Sequence, residues 1–370
     1  GEIAEEMGRL LKSAVERRCR PGERVGLTLS GGLDSRALLA AMPTHDNALH
    51  AVTMGKKGCD DILISAMAAK AKGAEHHVVD INRHNWLTSR PEAVWWTDGR
   101  KDLMHMAIVA AYQAGQGLFD IVLDGAGGGL LKGDDLYNEG DPVQFLCNKF
   151  ACRIKLDTGL AERIRDYYAT LGSNYALYVD SRMRSFTMSG PKIALNFHME
   201  YRIPLMDNAL QEFVFSIPEH LRRHGSVCEK MLVTAFPDFF ARIPWQGSGV
   251  PIGRRNLLSS SRRFIKRVTR RLGYELSSRM GIEDVYTREF TAYPAWLRTE
   301  PALSFFEGLI ESPTANYSNY ISRNDVQGAW KQHLHGNDRS REIGRYVTFE
   351  LWLQYLFENK NRFFTNPLQQ

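Results

Sequence analysis

The segment Leu-Ser-Gly-Gly-Leu-Asp-Ser, from Leu29 to Ser35, combines residue types that can bind a polyphosphate. Two consecutive glycines, Gly31 and Gly32, let the backbone turn sharply and approach a ligand closely. Free amides at the start of a helix attract an anion, and the two serine hydroxyls add hydrogen-bond donors. Asp34 offers a carboxylate for a magnesium ion carried on the phosphates. The segment therefore predicts a site for a nucleotide and its metal ion.

The elements around this loop follow an alternating pattern. An apolar run at 24–29 predicts a buried strand, and the residues from Asp34 to Met42 predict a helix that Pro43 ends. Further strand patterns lie at 48–54, 75–81 and 119–123, and further helical patterns lie at 2–18, 60–72 and 102–114. This alternation predicts an α/β fold with a parallel sheet and helices on both faces.

The pattern changes after Gly140, where strand signals fade and long helical patterns dominate. We therefore predict an α/β nucleotide-binding part over residues 1–140. Residues 141–370 are predicted to form a mainly helical synthetase lobe that packs on it.

Four further segments occur in a fixed order with the loop: Gly58 to Asp61, Leu123 to Gly129 (LDGAGGG), Glu200 to Asp207 (EYRIPLMD), and Ile217 to Leu221 followed by Lys230-Met231-Leu232. Together they resemble the asparagine-synthetase-like family of PP-loop ATP pyrophosphatases, which includes lactam- and macrolactam-forming relatives. That family carries a short acidic motif, then LSGEGADE, ExRxPFLD and LPxxLK…KxxLR at the matching places.

The resemblance implies a five-stranded parallel sheet, with ATP and Mg²⁺ as cofactors. A substrate carboxylate would attack the α-phosphorus, pyrophosphate would leave, and an amine or ammonia would attack the acyl-adenylate. Asp34 would hold the metal and Lys230 would stabilise charge at the reacting phosphates, so both are assigned catalytic roles. The implied ATP-binding residues are Leu29, Ser30, Gly31, Gly32, Asp34, Ser35, Met54, Asp124 and Gly125.

The chain departs from the family pattern in the Gly-rich segment. Ala126 stands where the family has Glu, and Gly129 stands where it has a second metal-binding Asp. Asp134 and Asp135 follow a few residues later and could substitute. These departures support an alternative hypothesis, a degenerate PP-loop protein that acts as a non-catalytic ATP-binding partner.

The nitrogen donor has two interpretations. No cysteine lies near residue 1 and no glutaminase-like segment precedes Ser30. Either a glutaminase domain or partner is missing, as for a glutamine- or ammonia-dependent asparagine synthetase domain, or the acceptor is an amine on a substrate such as a peptide or natural-product intermediate. Because Ala126 cannot hold an ammonium ion, we favour the substrate amine.

A basic stretch raises the question of polyanionic partners. Nine Lys or Arg and one acid lie between Gly253 and Met280. The run from Arg262 to Arg271 predicts a basic helix, which would either dock an acidic substrate or form a solvated helix face. A nucleic-acid-modifying PP-loop enzyme is a third hypothesis, and the ExRxPFLD-like box disfavours it.

Two further segments, one with a pair of histidines and one with a pair of tryptophans, each have a structural and a functional interpretation. His76-His77 has no partner at metal-ligand spacing along the sequence, which favours histidines in the core or at a sheet edge. The segment from Trp95 to Gly99 would either line the acyl-substrate pocket or supply core aromatics.

The composition, 44% hydrophobic and 24% charged, argues against wholesale disorder. The sequence contains no stretch of about 18 apolar residues, so it predicts no membrane span. The five cysteines are odd in number and scattered, which favours reduced thiols and a cytoplasmic protein.

Overall fold

The computed structural model describes residues 1–44, 49–133, 141–146, 158–171, 180, 189–252, 268 and 288–357. Its strands are β1 Val25–Thr28, β2 His50–Gly55, β3 Glu75–Asp80, β4 Ile121–Leu123 and β5 Glu200–Arg202. They form one sheet in the order β3-β2-β1-β4-β5, and every neighbouring pair is parallel.

Helices account for most of the remaining described residues. They are α1 Glu2–Glu16, α2 Leu33–Ala41, α3 Asp60–Lys72, α4 Arg90–Trp96, α5 Ile108–Gly115, α6 Gly128–Leu131, α7 Pro142–Leu146, α8 Thr158–Leu171, α9 Ser189–Asn196, α10 Asn208–Ser216, α11 Glu219–Arg222, α12 Ser226–Ala235, α13 Pro237–Phe240, α14 Tyr293–Trp296, α15 Ala302–Ile310, α16 Arg323–Leu334 and α17 Ser340–Phe357. Short 3₁₀ turns lie at Leu103–His105, Pro204–Met206, Arg223–Gly225 and Asn316–Asn319.

The sheet separates two apolar cores. Side chains alternate between its faces, as expected for strands: Ile121 and Leu123 of β4 pack with α1, α2 and α12 on one side. Val122 packs on the other side, in the core that also contains α5 and α17. The predicted fold class, a five-stranded parallel sheet with helices on both faces and a largely helical remainder, is confirmed.

The fifth strand is the ExRxPFLD-like segment. β5 pairs with β4 in the register Leu123↔Arg202, so the outer strand comes from the part predicted to be mainly helical. Three residues, Glu-Tyr-Arg, are too short and too polar for a periodic strand pattern. The division of the chain at residue 140 stays a prediction.

One predicted helix is divided in two. The stretch 102–114 forms the 3₁₀ turn Leu103–His105 and then α5. The Asp102 carboxylate caps the turn by accepting from the Met104 amide at 2.8 Å. The Leu103 amide donates to the Thr348 hydroxyl of α17 at 2.9 Å, so a tertiary contact holds this turn apart from α5.

Several sequence predictions fall outside the described residues: Asp134, Asp135 and the basic run Arg262 to Arg271, apart from Val268. In the part of the chain that the structure describes, no helix combines the length and the apolar character needed to cross a membrane. Cys19, Cys59 and Cys228 are buried and take part in no disulfide bond.

Candidate active site

The glycine-rich loop connects β1 to α2 and is held by its own serines. The Ser30 amide donates to the Ser35 hydroxyl oxygen at 3.0 Å, and the two hydroxyl oxygens also lie 3.0 Å apart. The Gly32 amide donates to the Ser30 hydroxyl oxygen at 3.2 Å. The serines therefore shape the loop, in addition to any ligand contact they make.

The acidic motif before α3 fixes the same loop from the side. The buried Asp61 carboxylate accepts from the Gly31 amide at 2.9 Å and from the Gln246 side-chain amide at 2.5 Å. A Cβ on Gly31 would lie 3.1 Å from the Cβ of Gln246. The motif lies directly before and at the start of α3, as the sequence predicted. The contact between Asp61 and the loop was not predicted.

Leu29 and Met54 lie at the ends of neighbouring strands. Leu29 is buried, its amide donates to the Val52 carbonyl and its carbonyl accepts from the Thr53 hydroxyl, both at 2.9 Å. Met54 lines a cavity of about 760 Å³. Other residues on the cavity wall include Met104, Phe290, Tyr293, Asp338 and Arg341.

Asp34, the predicted metal ligand, forms an ion pair with Lys132. The lysine Nζ lies 2.8 Å from both carboxylate oxygens, and each side chain is about one-third exposed. A Cβ on Gly128 would lie 2.3 Å from the Asp34 Cγ, and one on Gly125 would lie 3.1 Å from the Asp34 Cβ. The second Gly-rich segment therefore needs glycine to lie against Asp34. Lys132 was not among the predicted site residues.

Asp124 organises the turn after β4. Its carboxylate accepts from the Ala126 amide at 2.7 Å and from the Tyr201 hydroxyl. Desolvation raises the pKa of Asp124, against the opposing effect of these hydrogen bonds and of the nearby Lys101 charge. Burial lowers the pKa of Lys101. Asp124, Lys101 and Tyr201 thus form a polar cluster next to the loop.

A fully buried arginine supports the start of α2. Arg36 Nε donates to the Gly32 carbonyl at 2.9 Å, and Nη1 donates to the Pro244 carbonyl at 3.0 Å. Its guanidinium lies 5.0 Å from the centre of the Phe240 ring. Burial lowers the pKa of Arg36 to about 10. Nothing in its sequence position distinguished this residue from a surface arginine.

Lys230, the second predicted catalytic residue, does not line the same cavity as the glycine-rich loop. It is an exposed residue of α12 and lies beside the α-amino group of Gly1. Both line a cavity of about 600 Å³ to which Ile3, Leu221 and Val227 also contribute, and no residue from Leu29 to Ser35 lines it. The structure therefore brings Asp34, Asp124, Gly125 and the loop together, but places Lys230 at the start of α1.

The segment from Trp95 to Gly99 packs on the last described helix. The ring centre of Trp95 lies 6.0 Å from that of Tyr355, and Trp352 Nε1 donates to an Asp98 carboxylate oxygen at 3.1 Å. A Cβ on Gly99 would lie 2.8 Å from Trp352. Of the two interpretations, these contacts favour the structural one.

The fold and the loop define a class of protein. A five-stranded parallel sheet carries a glycine-rich loop with the PP-loop sequence at the C-terminal end of β1, before a helix N-terminus. Asp34 and the Gly-rich turn after β4 meet at this edge. This is the arrangement of an α/β nucleotide-binding fold of the PP-loop type.

Comparison with known proteins narrows the class. Residues 6–163, less than half of the chain, match the asparagine synthase family. A stretch of 96 residues is 31% identical to proteins named "Putative asparagine synthetase (glutamine-hydrolyzing)" from Mycobacterium bovis and Mycobacterium tuberculosis. It covers 25% of this chain and 15% of each relative. The resemblance predicted from the motifs is confirmed: residues 6–163 are similar to the asparagine synthase family.

Proposed function

We propose that this protein is an AMP-forming carbon–nitrogen ligase that adenylates a carboxylate and transfers the acyl group to an amine. The observation that carries the proposal is the loop from Ser30 to Ser35 at the sheet edge, with Asp34 and Lys132 in contact beside it. The site combines backbone amides, a carboxylate for Mg²⁺ and a cation for phosphate. The asparagine-synthase match supports the same activity.

The residues present fit ATP and Mg²⁺. The amides of Ser30, Gly31 and Gly32 donate to side chains of the protein itself, so the backbone amides in the first turn of α2 would face the phosphates. Asp34 would hold the metal, which usually keeps several waters and needs few protein carboxylates. Lys132 would bind phosphate oxygens when the metal takes its place at Asp34. The cavity beside Met54, at about 760 Å³, has the size of a small-molecule site and would receive the adenine ring and part of the substrate.

The reaction balances as two displacements. A carboxylate oxygen of the substrate bonds to the α-phosphorus, and the bond from that phosphorus to pyrophosphate breaks. The amine nitrogen then bonds to the acyl carbon, AMP leaves, and the nitrogen loses a proton. The protein would contribute positioning and charge neutralisation.

The amine is proposed to belong to a larger substrate such as a peptide. Ala126, in the turn after β4, has no carboxylate with which to hold an ammonium ion. Binding of a larger substrate would supply the orientation that free ammonia lacks. Efficient formation of a primary amide from ammonium salts alone would contradict this assignment.

The test is to replace Asp34 by Ala and measure Mg²⁺-dependent ATP binding and cleavage with candidate acids and amines. We expect AMP and pyrophosphate from the wild-type protein and a loss of at least about tenfold in the variant, because a charged contact is worth about 1.5–3 kcal/mol. The matched control is Asp120→Ala, which removes an exposed aspartate paired with Arg24. ADP as the main product, or unchanged binding and turnover in Asp34→Ala, would contradict the proposal.

A non-catalytic ATP-binding protein is the second candidate. Lys132 already neutralises Asp34, and positions 126 and 129 carry no acid. Asp34-dependent ATP binding with no cleavage under any acceptor would favour this candidate.

A further inference from the structure

Two histidines and a glutamate share one face of the sheet at its edge. His50 begins β2 and pairs with Glu75, the first residue of the edge strand β3. Paired residues of neighbouring strands lie on the same face, and so do residues two apart in one strand, which adds His77. His76 faces the other way and its Nε2 lies 2.9 Å from the Thr53 hydroxyl.

The three side chains converge on one point. His50 Nδ1 lies 3.2 Å from His77 Nε2 and 3.4 Å from a Glu75 carboxylate oxygen. That oxygen lies 3.9 Å from His77 Nε2. Ligands bound to zinc at about 2.0–2.1 Å in a tetrahedron are about 3.3 Å apart. The three separations therefore approximate one face of a zinc tetrahedron.

The chemistry of the donor set agrees with its geometry. Two imidazoles and one carboxylate are ligands that Zn²⁺ takes with water in the fourth position. Arg24, a cation near His50, is paired with Asp120 at 2.6 Å. Glu75 is exposed, which leaves a path for an ion.

We propose that His50, Glu75 and His77 form a zinc site that fastens the edge strand β3 to β2. The site lies towards the N-terminal ends of the strands, whereas the glycine-rich loop follows the C-terminal end of β1. Zinc there is a structural clamp and takes no part in ATP chemistry. The inference is therefore independent of the proposed ligase activity.

The experiment uses the full chain, free of any affinity tag and stripped of metal, titrated with Zn²⁺ and separately with Co²⁺. We expect one ion per chain at this site, a rise in melting temperature with Zn²⁺, and the visible absorption of tetrahedral Co²⁺. His50→Ala and His77→Ala should lose the ion, and Glu75→Gln should weaken binding about tenfold or more. His76→Ala, on the opposite face, is the matched control and should keep it.

Glu75→Gln changes an exposed side chain, so it keeps the test valid if a histidine variant does not fold. Absence of zinc binding would overturn the proposal and leave a hydrogen bond between the two histidines. Equal zinc binding in the wild-type protein and in all three site variants would also overturn it, because the ion would then be held elsewhere in the chain.

Discussion

The ion pair between Lys132 and Asp34 neutralises the predicted metal ligand before a nucleotide binds. The ammonium contacts both carboxylate oxygens at 2.8 Å, so a magnesium ion must compete with it. Lys132→Met should therefore raise the affinity of the nucleotide-free site for Mg²⁺. The same variant should weaken metal-free ATP binding about tenfold or more, because the Asp34 carboxylate is then left without its cation and repels the phosphates.

Calorimetric titrations with Mg²⁺ alone and with ATP in chelator would measure both effects of Lys132→Met. Lys132→Arg should keep most of the ATP affinity, and Lys70→Met, at an exposed position on α3, is the control for loss of charge. If both affinities are unchanged in Lys132→Met, Lys132 does not serve the site.

Residue types in the loop were predictable because the chemistry is local: glycines, hydroxyls and one carboxylate lie within seven positions, Leu29 to Ser35. The partners of that loop were not predictable, since they come from distant segments. Asp61 binds Gly31, and Lys132 binds Asp34. The zinc ligands were missed for the same reason, because His50 meets His77 across two strands.

At the scale of elements, a buried histidine joins α16 to α17. His333 Nε2 donates to the Pro294 carbonyl and Nδ1 accepts from the Arg339 amide, both at 3.1 Å. Because one ring nitrogen donates and the other accepts, these two hydrogen bonds require the neutral imidazole. Burial and the Arg298 charge lower the pKa of His333 to about 3, while Asp338 lies 3.8 Å from Nδ1.

The depressed pKa of His333 predicts a loss of stability in acid. The unfolded chain takes up the proton near pH 6.5 and the folded chain only near pH 3, so stability falls through that window as pH falls. Between pH 6.5 and 5 we expect a loss of about 2 kcal/mol. His333→Gln should flatten this part of the curve of unfolding free energy against pH, and exposed His220→Gln should not. Parallel curves for all three proteins would contradict the prediction.

A pH-dependent ion pair connects β5 to the first part of the chain. Arg202 of β5 donates to both Glu23 carboxylate oxygens, at 2.6 and 2.9 Å, and to the Arg18 carbonyl at 2.8 Å. These bonds lower the pKa of Glu23 to about 2. Their contribution is complete above about pH 4.5 and is lost as pH falls towards 2.

Glu23→Gln should therefore cost about 1–2 kcal/mol of unfolding free energy at pH 7. The difference from the wild-type protein should shrink below pH 4.5, in denaturant titrations at several pH values. Glu6→Gln, at an exposed pair with Arg9 on α1, is the control and should change little. A difference that stays constant down to pH 2.5 would show that the Glu23 charge is not involved.

At the scale of the whole molecule, the alternation of strands and helices was enough to predict the sheet and its two covered faces. It was not enough to predict β5, because this three-residue strand has no periodic pattern of its own. It forms by pairing with β4 and through the contacts that Arg202 makes with distant segments. The position of Lys230 follows from how α12 packs on α1, which a motif along the chain does not specify.

The late position of β5 also bears on how the protein is made. During synthesis the residues of β1 to β4 leave the ribosome well before Glu200, and the outer edge of β4 then has no neighbour from its own chain. Open strand edges are templates for pairing with other molecules, and contacts between distant segments form slowly. The nascent chain therefore passes through a period in which its nucleotide loop has been synthesised but its sheet is not complete. In this period we expect chaperones to protect it.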